Sequence, residues 1–191
     1  MANISDFKAA LAGGGARANL FQVGVTFPSF VSNGALASRQ IQLLAHSASL
    51  PSSKLKTFAT PFQGRSVYQA AEREFEDWKI SIYNDTNFSV RNAFEEWMNS
   101  VQNADSLSGI SQPGLYQVPL QVYQLDRSGA ILQYYDIQDA FPHEVGAIEL
   151  SFGEVNGIET FDVTFTYNYF VNPQIPAGAA VTVNVNVNLP I

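Results

Sequence analysis

Residues 75–101 constrain the fold of this chain more than any other stretch, because they read as a strand, a polar turn and an amphipathic helix in succession. Trp78, Ile80 and Ile82 alternate with mostly polar residues, and this period of two is typical of a half-buried strand. The residues after the turn have the period of a helix with one apolar face. The stretch therefore predicts a strand and a helix that share one core.

The turn and the helix each carry a local signal. Residues 84–87 read Asn-Asp-Thr-Asn, and such short polar side chains bond the local backbone and end a strand. Ser89 is placed to cap the helix, which we expect to run over Ser89–Val101. The apolar face of this helix consists of Val90, Phe94, Trp97, Met98 and Val101.

Alternating apolar residues predict further strands at residues 20–27, 118–126 and 130–138. The polar, Gly- and Ser-rich residues 29–40 predict a loop, followed by a returning strand at 41–45. The content of 14 Phe and 8 Tyr also favours a sheet-rich domain.

The last part of this domain predicts a hairpin that follows a loop at residues 142–146. Residues 154–157 are expected to form the turn of the hairpin. The apolar residues that we expect its two strands to place in the core are Ile148, Leu150, Phe161, Val163 and Phe165.

The order of these segments resembles the tail tube protein of contractile-tailed, T-even-like bacteriophages. The residues that carry the resemblance in the strand, turn and helix are Phe75, Asp77, Trp78, Asn84, Asp85, Phe94 and Trp97. Residues 18–23 resemble the first strand of that family, 46–51 the start of its long loop, and 146–164 its final hairpin. The similar segments together extend over residues 16–170, most of the chain.

The resemblance implies a mainly β (α+β) fold, in which two packed antiparallel sheets form a β-barrel-like body with one flanking α-helix and long intersubunit loops. It divides the chain into an N-terminal arm with a glycine hinge (1–15), a tail-tube β domain (16–170) and a C-terminal extension strand (171–191). Residues 47–73 contain two prolines and no sustained period, and we expect a long irregular loop that packs on neighbouring subunits.

The resemblance also implies a structural function, that of a virion protein. Homohexameric rings would stack into the inner tube of a contractile tail and give an acidic conduit for DNA ejection. The implied partners are further copies of the chain, the tail sheath protein, and the baseplate and tail terminator proteins. Genomic DNA would pass through without specific binding, and the subunit would assemble in the host bacterial cytoplasm without inserting into a membrane.

Three alternatives stay open from the sequence. The chain would also suit a baseplate-proximal tube initiator or the inner tube of a related contractile injection system. A β-sandwich binding module, for example for sugars, fits the alternating strands as well. That third interpretation needs a polar pocket or a group of exposed aromatic residues, and the sequence locates neither.

The net charge of −7 is concentrated in the second half of the chain. The ten Lys and Arg end at Arg127 and are balanced up to that point by ten Asp and Glu. The seven acidic residues beyond it are Asp136, Asp139, Glu144, Glu149, Glu154, Glu159 and Asp162. Such a balance argues against nucleic-acid binding, which needs cations to displace phosphate counterions, although an ordinary solvated surface has the same composition.

In the tube interpretation, the polar residues of the final hairpin acquire a specific role. If their apolar neighbours face the core, these side chains face the opposite way, towards the lumen of the tube. The lumen-facing candidates are Glu149, Ser151, Asp162, Thr164, Thr166 and Asn168.

The C-terminal segment has an unusual pattern. A linker rich in Pro and Gly at residues 172–178 precedes alternating Val with Thr or Asn, so that Val181, Val183, Val185 and Val187 share one side. This pattern is typical of a strand that pairs with an open sheet edge. The edge can belong to the same sheet or to a neighbouring subunit.

Nothing in the sequence predicts an enzyme. His46 and His143 are the only histidines, and each is expected to be an ordinary hydrogen-bonding residue. Metalloprotease, calcium-loop and serine-hydrolase motifs do not occur, and the absence of cysteine excludes disulfides and thiolate metal sites. We therefore expect no cofactor and no metal. The sequence has no signal-peptide pattern and no long apolar run, which predicts a soluble subunit.

Overall fold

A computed structural model describes residues 3–11, 14–153 and 157–174. In chain order the elements are α1 Ile4–Ala10, β1 Phe21–Val25, α2 Gly34–Leu44, β2 Ala45–Ala48, β3 Ser53–Phe62, β4 Arg65–Phe75, β5 Trp78–Tyr83, α3 Ser89–Val101, α4 Pro113–Tyr116, β6 Val118–Leu125, β7 Ile131–Val145, β8 Thr160–Thr166 and β9 Tyr169–Val171. The fold is mainly β, as the sequence predicts.

Seven of the described strands form two antiparallel sheets that share β7, in the order β1-β6-β7-β8-β5-β2 with β9 also on β7, while β3 and β4 pair with each other. The first part of β7 pairs with β6, and its last part pairs with β8. Between the two parts the register shifts, and Asp139 has a φ of 56°, so an extra residue bends the strand there. β9 continues along β7 after β8 ends. The strands β1 and β2 lie at the two ends of this order, and the barrel is not closed.

Aromatic side chains fill the core between α3 and the sheet. Phe94 and Trp97 of α3 are buried, and their ring centroids lie 5.8 and 6.5 Å from that of Phe165 in β8. Trp78 of β5 is buried beside the same ring at 5.7 Å. Each indole is satisfied, because Trp97 Nε1 donates to the carbonyl of Tyr116 at 3.1 Å and Trp78 Nε1 to another backbone carbonyl. The predicted helix therefore packs on the predicted strand.

The cap of α3 differs from the prediction. The helix does span Ser89–Val101, but Ser89 is its first helical residue and not its cap. Phe88 precedes it with a left-handed φ of 54°. The Asp85 carboxylate, four residues earlier, accepts hydrogen bonds from the backbone N–H of Ser89 at 2.9 Å and from its hydroxyl. An acidic group thus satisfies a free N–H at the positive end of the helix.

A second core helix replaces the predicted loop and strand at residues 29–45. α2 buries Gly34, Ala37 and Ile41, which follow the helical period, and it lies beside β1. Gly34 permits the close approach, because a Cβ atom there would lie 2.7 Å from the Cβ atom of Phe27. The period is hard to detect in the sequence, since two of its three buried residues are small and Leu36 and Leu43 lie on the exposed side. The body therefore has more than one flanking helix.

A long hairpin replaces the irregular loop predicted for residues 47–73. β3 and β4 pair from Ser53 opposite Phe75 to Phe62 opposite Arg65. The turn consists of Gln63 and Gly64, both with positive φ, as two-residue hairpin turns require. Neither face of this hairpin is buried, which explains why its sequence lacks the alternation of a half-buried strand.

The final hairpin is only half as predicted. Phe161, Val163 and Phe165 are buried in β8, whereas residues 146–153 form no strand and Leu150 is exposed. Ile148 is half-buried against the core. The loop predicted at residues 142–146 is instead the end of β7, which continues to Val145. The register shifts next to Pro142, and this irregularity tolerates the missing N–H of the proline. The predicted turn at 154–157 and the predicted strand with Val181, Val183, Val185 and Val187 lie wholly or mostly outside the described residues.

The capping geometry predicts that Asp85→Ala lowers the free energy of unfolding by about 0.5–2 kcal/mol, the usual range for loss of a helix cap. Loss of the carboxylate leaves the N–H of Ser89 without its acceptor. Chemical denaturation followed by circular dichroism measures the change, with the exposed Asp105→Ala as the matched control. Equal stability of Asp85→Ala and Asp105→Ala would contradict the assigned cap.

Candidate assembly site

The outer face of β8 and its neighbours carries polar side chains in register. Asp162, Thr164 and Thr166 alternate with the buried residues of β8 and therefore point away from the core. Ser81 of β5 lies opposite Asp162. Thr164 lies between Lys79 of β5 and a glutamate of β7 in the register of the sheet. Three of the six lumen-facing candidates thus share one surface, which we call the polar sheet face (outer side chains of β5, β8 and the end of β7).

The charge of Asp162 on this face is paired. Lys79 Nζ lies 2.6 Å from its carboxylate, and the Ser81 hydroxyl also donates to it. The hydrogen bond from Lys79, and then that from Ser81, lowers the pKa of Asp162. The same hydrogen bond to Asp162 raises the pKa of Lys79. The polar sheet face is therefore less acidic than the sequence alone suggests.

Thr166 lies in a second polar group at the other end of the face. Its hydroxyl donates to the Asp77 carboxylate at 2.9 Å, and His143 Nδ1 lies 3.2 Å from the same hydroxyl. His143 Nε2 lies 3.8 Å from Asp77 Oδ2. The family residue Asp77 thus links the start of β5 to the end of β8 and to the bulged part of β7.

The remaining lumen-facing candidates do not lie on a strand of this face. Glu149 and Ser151 line an open recess of about 380 Å³ beside Asp162. Asn168 lies beyond Thr166, at the break between β8 and β9, where its amide donates to the Asp139 carboxylate at 3.0 Å. The sequence analysis grouped these residues because they alternate with apolar residues, as in a strand. Residues 146–153 form no strand, so this alternation does not place Glu149 and Ser151 on the sheet face.

The other residues of the family motif have structural roles. Asn84 is held at the end of β5, because its side chain donates to the Glu159 carboxylate at 3.0 Å and its backbone N–H to the Glu159 carbonyl at 2.8 Å. Phe75 packs on Phe170 and Tyr167 at the base of the β3–β4 hairpin. These contacts anchor the turn and the hairpin base to β8 and β9.

Both histidines contact neighbouring side chains. His46 stacks on Tyr83, with ring centroids 4.7 Å apart, and His143 belongs to the polar group around Thr166. Within residues 3–11, 14–153 and 157–174, no group of three or more His, Cys, Asp or Glu is placed to hold a metal ion. In the same part of the chain, no helix combines the length and the apolar character needed to cross a membrane.

The β3–β4 hairpin presents unpaired apolar surface. Among the described residues its two strands pair only with each other. Phe58 and Phe62 alternate on one face of β3, and Val67, which lies opposite Thr60, is on the same face of the hairpin. The exposed fraction of Phe62 is 63%. An isolated two-stranded hairpin is marginal in water, so a surface of this kind indicates contact with another molecule.

Solved structures with a similar fold come from contractile assemblies. The tube-terminating cap of the anti-feeding prophage matches with a TM-score of 0.61 and 16% identity, over 83% of this chain and 90% of that one. The sheath/tube terminator of an extracellular contractile injection system matches with a TM-score of 0.60 and 11% identity, over 83% and 96%. The chain thus has the fold shared by these tube-end proteins.

Sequence comparison identifies the family. The profile of the phage tail tube protein family matches residues 16–172, and the chain belongs to that family. It is 26% identical over 169 residues to the tail tube protein of Serratia phage KSP90, covering 87% of this chain and 95% of the relative. It is 25% identical over 157 residues to the tail tube protein gp19 of Enterobacteria phage T4, covering 81% and 90%. The resemblance stated from the sequence motifs is confirmed.

The ion pair predicts that Lys79→Met raises the pKa of Asp162 towards the ordinary aspartate value of about 3.9, because its main hydrogen-bond donor is lost. A depressed carboxyl pKa stabilises the fold above the unfolded-state pKa, and this contribution is lost as the pH falls through the folded-state pKa. The stability difference between wild type and variant should therefore shrink below about pH 4. Carboxyl NMR titration measures the pKa, and Lys79→Arg is the control that keeps the charge. An unchanged Asp162 titration in Lys79→Met would contradict the pairing.

Proposed function

We propose that six copies of the chain form a ring, and that rings stack into the inner tube of a contractile phage tail through which DNA is ejected. Membership of the tail tube family supports the role in the tail. The structural observation that carries the proposal is the β3–β4 hairpin, whose apolar side chains lie outside the core of their own subunit. In a tube this surface would be buried against neighbouring copies.

Charge supports contact between copies. The β3–β4 hairpin carries four Lys or Arg and two Glu, which leaves it at +2, so the rest of the chain has a net charge of −9. Opposite charges on two surfaces favour their encounter and disfavour the pairing of like surfaces. A hairpin of one copy would therefore be attracted to the body of another copy.

The polar sheet face is the surface that we assign to the lumen, together with the recess beside it. It presents Thr164 and Thr166 and the paired Asp162, with Glu149 and Ser151 at the recess and Asn168 at the far end of β8. Six copies at −7 each have a net charge of −42. Carboxylates near the lumen would repel DNA phosphates over about 8 Å at physiological salt, so that DNA slides without capture.

The opposite side of the body carries α2 and α3, and we assign it to the tail sheath protein. Baseplate and tail terminator proteins would contact the two ends of the tube. The subunit would assemble in the host bacterial cytoplasm and remain in the virion. No catalytic step is proposed, because the polar groups are engaged in pairs that hold strands together, such as Lys79 with Asp162.

Expression of the chain alone and imaging by cryo-electron microscopy tests the proposal. We expect hollow tubes of stacked six-membered rings, with the side chains of Asp162 and Thr164 facing the channel. Long tubes would identify the main tube subunit, whereas single rings would identify an initiator. A monomer that stays monodisperse at high concentration, with or without sheath and baseplate proteins, would contradict the proposal and favour a binding module.

We predict that Phe62→Asp lowers the yield of sedimentable tubes about tenfold or more, because burial of an unpaired carboxylate costs over ~1.4 kcal/mol. Thr57→Asp is the matched control, since Thr57 points to the opposite face of the same strand. Ultracentrifugation measures the yield, and circular dichroism checks that both variants fold. Equal tube yields from the two variants would show that the apolar face of the hairpin is not an assembly contact.

A further inference from the structure

The first part of β7 has an unpaired side. Residues 131–135 pair with β6 on one side only, and β9 covers the other side of β7 at residues 136–138. Within residues 3–11, 14–153 and 157–174, no strand pairs with the other side of residues 131–135. We call this stretch the open β7 edge (residues 131–135). Its side chains are Ile, Leu, Gln, Tyr and Tyr, without a charge that would discourage strand addition.

The chain leaves the sheet next to this edge. β9 ends at Val171, opposite Asp136, and Asn172 follows with only 9% of its surface exposed. The Asn172 side chain accepts a hydrogen bond from the N–H of Gln174, while its Nδ2 finds no acceptor among the described residues. A buried amide donor without an acceptor is costly, so an acceptor supplied from outside the described residues would stabilise Asn172 at this edge.

The segment that follows cannot simply continue β9 along its own β7. Antiparallel continuation would place residue 172 opposite Tyr135 and residue 176 opposite Ile131, which uses up the open β7 edge. That stretch contains Pro173 and Pro176, which lack the N–H that a ladder needs. The alternating residues 181–189, which we call the Val/Asn segment, would begin beyond the end of the strand.

We propose that the open β7 edge of one copy accepts the Val/Asn segment of a second copy as an added strand. Both surfaces lack charge, since residues 171–191 contain no Asp, Glu, Lys, Arg or His. Ile131 and Leu132 are 52% and 43% exposed, and an added strand would cover them. The nine residues 172–180 provide the reach to a neighbour. This inference rests on the proposed tube, because the tube supplies the neighbouring copy.

The absence of cysteine allows a direct test by mixing two single-cysteine variants. Leu132→Cys, with an affinity tag, is mixed with Asn184→Cys, Asn186→Cys or Asn188→Cys before assembly and then oxidised. The three Asn positions share one side of the segment and lie two residues apart, so together they test three registers in which this side faces Leu132. We expect a disulfide-linked heterodimer with at least one of them, and at least tenfold less with Ala35→Cys on the exposed side of α2.

The double variant Leu132→Cys with Asn186→Cys tests the alternative that the Val/Asn segment pairs with the β7 edge of its own chain, which would give a disulfide within one chain. Linkage inside single chains only, or equal linkage to Ala35→Cys, or no linkage at any Asn position would overturn the inference. Electron microscopy of the same samples separates it from the proposed function. Tubes without linkage refute only the strand addition, whereas samples without rings or tubes refute the tube as well.

Truncation after Gln174 provides a second, independent measurement. We expect the truncated chain to keep its circular dichroism spectrum and thermal unfolding, but to lose tube yield at least tenfold. A peptide of residues 179–191 should bind the truncated chain. It should not bind full-length tubes, because their open β7 edges are already occupied. Full tube yield from the truncated chain, or no binding of the peptide to it, would overturn the inference.

Discussion

The aromatic contact between α3 and the sheet determines which surfaces of the molecule remain available for function. Phe94 and Trp97 lie against Phe165, and Phe27 packs on both aromatic rings of the helix. Because these rings occupy the inner side of β5 and β8, every second residue of those strands must point outwards. The polar sheet face is therefore a consequence of the core packing. The helices, in turn, are confined to the side that we assign to the sheath.

The apolar surface outside this core suits a subunit that assembles with other copies. The β3–β4 hairpin exposes Phe58 and Phe62, and the open β7 edge exposes Ile131 and Leu132. Soluble monomers usually cover or charge such edges, since unpaired strands and apolar faces promote association. In a subunit that functions only in a polymer, the same features specify the contacts. The opposite net charges of the hairpin and the body add direction to that association.

The accuracy of the sequence predictions depends on burial. Strand β5, helix α3 and strand β6 were predicted within a residue, because each has one buried face and therefore a clear period. The β3–β4 hairpin was missed because neither of its faces is buried within the subunit. For the candidate site, Asp162, Thr164 and Thr166 lie on the outer face of β8, whereas Glu149 and Ser151 lie outside any strand, and the lumen-facing role of all five stays a prediction. The pairing of Lys79 with Asp162 depends on the β5–β8 register, which no single-strand pattern contains.

That pairing changes how the acidity of the chain acts in a tube. Lys79 offsets Asp162 on the polar sheet face, but the carboxylates of Glu144 and Asp77 lie on or beside the same face, which therefore stays acidic and is also rich in hydroxyl groups. The carboxylate of Glu149 lies beside it, at the recess. A lumen built from such subunits would present net negative charge interspersed with threonine hydroxyl groups. Repulsion from these carboxylates would keep phosphate away from the wall, while Lys79, held by Asp162, would be less available to DNA phosphates.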